Sequence, residues 1–212
     1  MTKVIRHPAS GGKSTRKAKK TDKPVRVYEI SIELLNSPVK INRVITVPSD
    51  VRLDVFGSVI QHAMGWGGGH LDAFSKNGVE YTDAETVAGS YNYGGSIDYK
   101  KVKLNELLTR KGSTIVYEYD FGDDWKHKVT LRSYRDFIEG EKRECTVISG
   151  EGACPPDDVG GVWGYADMLY TLEHPQENRE MYEEYMDWLP EDFDPHEYDV
   201  EKENKFLKSL KV

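Results

Sequence analysis

The chain is expected to form an α+β domain, a single domain of antiparallel β-hairpins packed with several helices, behind a basic arm. Three observations lead there. Apolar side chains alternate with polar ones between residues 27 and 34, 41 and 47, and 114 and 132, the period of half-buried strands. A helical period takes over at 53–64 and again after residue 160. Glycine and proline turn signals separate these stretches.

Order is expected to begin near Val25. Tyr28, Ile30, Ile32 and Leu34 share one face of a first strand, and Asn36-Ser37-Pro38 turns the chain. Ile41, Arg43, Ile45 and Val47 alternate in a second strand that Pro48 stops. Ser49 or Asp50 is then placed to N-cap a helix whose inward face is Leu53, Phe56, Ile60, Ala63 and Met64, with Val59 beside them. Gly65 ends this helix. His70–Lys76 reads as a third strand reaching a turn at Asn77-Gly78, while residues 83–101 show no firm period and read as a long loop. Val102–Arg110 fits a short helix closed by Gly112. Tyr165, Met168, Leu169 and Leu172 mark a later helix. Pro175 is read as opening another with Met181, Tyr185, Trp188 and Leu189 inward. A last helix, Val200–Leu210, is expected to bury Phe206, Leu207 and Leu210.

The segment 114–132 is read as a hairpin with a three-residue loop, Gly122-Asp123-Asp124. Phe121 would then face Trp125, Tyr119 would face His127, and Asp120 would pair with Lys126. A one-residue slip would mix aromatic and charged faces, so the facing of Trp125 and His127 toward the apolar side is strongly specified.

The net charge of −7 conceals two opposed segments. Residues 1–24 carry eight Lys/Arg, among them Arg6, Lys13, Arg16, Lys17, Lys19 and Lys20, against one acid, Asp22. The other 188 residues carry −14, and between Glu173 and Glu201 twelve Asp/Glu face only Arg179. Residues 1–24 have too few apolar side chains to order themselves and read as a disordered arm ahead of a domain at 25–212. Such an arm can neutralise phosphates without sequence preference, or fold back on the acidic C-terminal third. No apolar run approaches the ~20 residues of a membrane helix, so no membrane partner is expected. The first ten residues lack the apolar stretch of a secretory signal, and with two cysteines this favours a cytoplasmic protein.

Motifs that could carry chemistry are mostly incomplete. Gly11-Gly12-Lys13-Ser14 ends like a phosphate loop, but position 7 is His and no buried strand precedes it. Gly65-Trp66-Gly67-Gly68-Gly69 follows a helix, whose C-terminal end repels phosphate, although an exposed Trp66 could contact a ligand. Asp120, Asp123 and Asp124 offer oxygen ligands for Mg²⁺ or Ca²⁺, but the hairpin pairs Asp120 with Lys126 and uses Asp123 and Asp124 in the turn, so structural use is the favoured reading, with Asp123 the carboxylate expected to be freest. Cys145 and Cys154 are too widely spaced for a zinc knuckle and read as inert buried thiols. Neither HExxH nor a Gly-x-Ser-x-Gly elbow occurs, and Ser10 and Ser14 lie on the arm where no scaffold holds them.

Three blocks do combine into a recognisable pattern. VIQHAMGWGGGHLDAF, YEYDFGDDWKHKVTL and GEGACPPDDVGGVWGYADML, in this order, resemble the plasmid pRiA4b ORF-3-like family over about residues 25–210. The resemblance implies an α+β domain with no established activity; some relatives are passenger genes on plasmids and insertion sequences that carry a resolvase-like label, and no resolvase catalytic pattern transfers to residues here. Two positions depart from the family pattern. Ile41-Asn42-Arg43-Val44 stands where relatives commonly have Ile-Trp-Arg-Arg, and Val159 stands where a third Cys is frequent, which weakens any zinc site built on cysteines.

The residues point to a non-catalytic binding or accessory module with no cofactor and no assigned metal, touching nucleic acid loosely through residues 1–24. Its candidate pocket lies between the hairpin tip and the Pro155–Gly161 loop. Asp123, Asp124, Asp157, Asp158, His70 and Trp66 surround it, with Trp125, His127 and Tyr165 toward its walls. The alternatives are a metal-dependent enzyme using Asp123, Asp124 and His127 with His70 or Asp157, and an acidic scaffold that recruits a basic partner.

Overall fold

Eight strands form one sheet against which the helices pack, in a computed structural model that describes residues 24–88, 95–208 and 210. The chain runs β1 (Arg26–Leu34), β2 (Asn42–Pro48), α1 (Leu53–Met64), β3 (Asp72–Lys76), β4 (Val79–Thr82), α2 (Ala84–Ala88) and β5 (Ile97–Asp98). It continues through α3 (Leu104–Leu107), β6 (Thr114–Tyr119), β7 (Trp125–Asp136), β8 (Thr146–Glu151), α4 (Gly161–Glu173), α5 (Arg179–Trp188) and α6 (Val200–Leu207). The spatial order is β5-β4-β3-β6-β7-β1-β2-β8, antiparallel throughout except for the β4–β5 pair. The basic arm, with Arg6, Lys13, Arg16, Lys17, Lys19 and Lys20, lies outside the described residues.

The alternation in β1 does what its period requires: Tyr28, Ile30, Ile32 and Leu34 are all buried on one face. α1 lays Phe56, Val59, Ile60, Ala63 and Met64 against that core. Burying each of the larger of these side chains contributes about 1.5–3 kcal/mol. Gly65 closes the helix in the left-handed region, its N–H returning to the Gln61 carbonyl.

Neither Ser49 nor Asp50 caps α1. Arg52 occupies the N-cap position without a side-chain bond; Ser49 Oγ instead accepts the Arg26 backbone N–H, and Asp50 pairs with Arg143. Residues 83–101 are not one loop, since Asp83 opens the short α2 by accepting from Glu85 and Thr86, and β5 then adds a strand edge. α3 is one turn, shorter than the 102–110 span expected.

The hairpin register is corrected by two residues. Tyr119 faces Trp125, Tyr117 faces His127, and Glu118 faces Lys126, so the loop comprises five residues, 120–124. A two-residue slip leaves every side chain on its face, which is why alternation could not detect it. The longer loop is fixed from within: Asp120 and Asp124 both have positive φ, the Asp124 N–H meets the Asp120 carbonyl at 2.7 Å, and the Gly122 N–H meets Asp120 Oδ1 at 2.9 Å.

The C-terminal helices sit more loosely than their pattern suggested. Met181 and Trp188 of α5 and Phe206 of α6 are exposed, while Leu189 and Leu207 are buried. Asn178, not Pro175, begins α5 by capping the Met181 N–H.

Candidate functional site

Three loops distant in sequence meet at one end of the sheet. The first follows α1, and its Trp66 is 3% exposed rather than displayed. Trp66 packs on Tyr119 and Trp125, presents its ring to the edge of His127, and donates from Nε1 to the Pro155 carbonyl at 3.0 Å. Its hydrogen bond ties the second loop, Pro155–Gly161, to the first. The third is the hairpin tip, where Asp123 Oδ2 accepts the Gly160 N–H at 3.1 Å. A Cβ on Gly161 would stand 2.3 Å from the Asp123 carbonyl oxygen, and Gly161 has a φ of +68°. Glycine is what lets the tip seat against this loop.

Asp123 is therefore not a free carboxylate, and Asp120 is not the partner of Lys126. Lys126 is held by Asp124 and approached by Glu118. Asp120 turns instead to His70, with Oδ2 3.3 Å from Nδ1, and Asp158 Oδ1 lies 3.9 Å from Nε2 of the same ring. Asp157 and Asp158 do not cap α4, whose N-cap is Gly160 in the left-handed region. Asp157 is held above its ordinary range by burial, opposed by His70, with Asp158, Asp120 and Asp123 pushing the same way as burial.

Beneath these loops lies an aromatic layer, not a pocket wall. Trp125 and Tyr165 are 1% and 0% exposed, so they cannot line an open cavity as expected. The depression beside the loop is lined by Asp158, Val159, Glu184, Tyr185 and Trp188. His127 is fully buried, its Nδ1 3.3 Å from the Tyr117 carbonyl, and burial lowers its pKa to about 4. A neutral imidazole sealed from solvent does not join Asp123 and Asp124 in a hydrolytic set. Cys145 and Cys154 are free thiols that burial holds protonated, Cys145 pushed up to about 12.

The candidate pocket is thus split. His70, Asp123, Asp157 and Asp158 share the outer face with Asp120; Trp66, Trp125, His127 and Tyr165 form the layer below; Asp124 turns away to Lys126. Sequence reasoning assigned Asp120 to structure because the assumed register placed it opposite Lys126.

A family model described as "Plasmid pRiA4b ORF-3-like protein" matches residues 26–202, which takes in all three loops and the whole sheet. The chain belongs to this family. It is 31% identical over 175 residues to the uncharacterized protein y4hQ of Sinorhizobium fredii, covering 82% of this chain and 86% of that one. A crystal structure of the protein of unknown function MM3350 from Methanosarcina mazei Go1 is similar with a TM-score of 0.70 and 31% identity, over 85% of this chain and 98% of that one. That likeness extends over the mixed α/β fold described above. No helix among the described residues is long and apolar enough to cross a membrane.

Proposed function

We propose that this member of the pRiA4b ORF-3-like family is a non-catalytic cytoplasmic binding module, accessory to plasmid or mobile-element functions, that touches nucleic acid loosely through residues 1–24. The observation that carries this reading is the separation of charge along the chain. A net +7 over the first 24 residues precedes 188 residues carrying −14. An acidic body does not itself attract a phosphate backbone, so any attraction resides in the arm and depends steeply on salt. The burial of His127 supports the same choice by taking one of the two imidazoles named for the metal-dependent enzyme out of reach of Asp123 and Asp124.

Fluorescence anisotropy with labelled single- and double-stranded DNA, titrated from low to physiological salt, tests the proposal. The full chain should bind both without sequence preference, with log K falling linearly against log salt, and deletion of residues 1–24 should abolish binding while preserving the circular dichroism spectrum. Binding unchanged by that deletion would contradict the arm's role. Salt-sensitive association of a peptide of residues 1–24 with the truncated body, without DNA binding by the full chain, would mean that the arm serves the acidic C-terminal third instead.

A further inference from the structure

The outer face of the three-loop junction carries more negative charge than its surroundings neutralise. Asp120, Asp123, Asp157 and Asp158 converge there; among the described residues His70 is the basic side chain within ion-pairing distance of Asp120 and Asp158. One ligand atom from each of His70, Asp120 and Asp158 lies within 4.8 Å of the other two. A tetrahedral ion holds such donors about 2.0–2.2 Å away. The closing movement falls to Asp158, whose side chain is 79% exposed.

A second observation is independent of the acids. Tyr119 is fully buried, yet its hydroxyl makes no hydrogen bond within the described protein. Its ring lies edge-on to His70 with centroids 5.6 Å apart, and its oxygen lies beside the His70 backbone N–H. A buried hydroxyl left unpaired costs about 1–3 kcal/mol, and this one belongs to the ring that packs against His70.

We propose that His70, Asp120 and Asp158 form a binding site for one divalent transition-metal ion, with the Tyr119 hydroxyl positioned to bond a water or ligand on that ion. One imidazole with two carboxylates suits Zn²⁺ or Mn²⁺ better than Ca²⁺, which takes six to eight oxygens. Three protein ligands leave a coordination position open. The site uses no residue of 1–24 and stands or falls independently of nucleic-acid binding.

Equilibrium dialysis of the full chain against Zn²⁺, and separately against Mn²⁺, tests the site. One equivalent of either ion should bind saturably. His70→Ala and Asp158→Asn should each weaken it at least about tenfold, while Asp124→Asn, at the same hairpin tip but turned to Lys126, should leave it unchanged. Asn tolerates the left-handed backbone at 158 and that side chain is exposed, so Asp158→Asn keeps the fold even if His70→Ala does not. Absence of a saturable site for both ions, or a site that survives Asp158→Asn, would overturn the proposal.

Discussion

Arg43 and the hairpin-tip side of the molecule place polar groups near the two sides of the α1 C-terminus, with opposite results. Arg43 is fully buried, yet each of its five N–H groups is used: Nε reaches the Ala63 carbonyl, one terminal nitrogen the Asn42 and Glu151 carbonyls, the other those of Met64 and Gly152. Its guanidinium also lies 3.5 Å from the centre of the Tyr198 ring. On the other side, Tyr119 Oη, Trp125 Nε1, His127 Nε2 and Tyr165 Oη are buried without a partner among the described residues. The carboxylates above them outnumber the available cations. Saturated polarity of the first kind fixes one arrangement of the backbone. Unsaturated polarity of the second kind is uncommon in native folds and marks where chemistry remains to be completed.

The contrast is broken most severely by Arg43→Met. It would leave carbonyls at the ends of α1 and β8 unpaired and empty the face of Tyr198, so a loss of about 3–5 kcal/mol is expected in urea unfolding. A loss below about 1 kcal/mol would make the hub ornamental. Next in size is a pH effect. His127 titrates at about 4 in the folded chain but at about 6.5 when unfolded. As pH falls from about 6.5 to about 4, the unfolded chain takes up a proton that the folded one refuses, and stability drops by roughly 3 kcal/mol from this group. Raised carboxyls such as Asp72 and Asp157 oppose that slope, because they bind protons more readily when folded. The informative quantity is therefore the difference between wild type and His127→Phe, which should grow in favour of the variant over this window. A pH-independent difference would contradict the burial of His127.

A smaller effect, about 1–3 kcal/mol, is expected for Gly161→Ala, whose new methyl must push the Asp123 carbonyl away. Thermal unfolding reads the cost, and weaker zinc binding should accompany it because the tip carries Asp120. Tyr165→Phe should be the mildest, within about 0.5 kcal/mol, since the hydroxyl it removes has no partner to lose. A cost above about 1.5 kcal/mol would place Tyr165 on the saturated side of the comparison.

Much of this was legible in residue order. The faces of β1, β2, α1 and the hairpin follow from periods that burial enforces. The hairpin register did not follow, because alternation repeats every two residues and loop length is decided by Asp120, Asp124 and the seat on Gly160. β8 gave little signal: at the sheet edge it buries only Val147. Arg43 did leave a trace, a charge on the inward phase between Ile41 and Ile45, although its five acceptors belong to two other segments and its own neighbour. His70, Asp120 and Asp158 come from three loops with no fixed spacing, so only the packing of Trp66 on Pro155 and of Asp123 on Gly160 assembles them.

The most direct test of whether the unsaturated side holds the chemistry is anomalous diffraction from crystals of the full chain soaked in Mn²⁺. The geometry predicts a peak bounded by His70, Asp120 and Asp158, with the Tyr119 hydroxyl bonded to a ligand of the ion. No peak at that junction, or manganese only along the acidic stretch between Glu173 and Glu201, would contradict it.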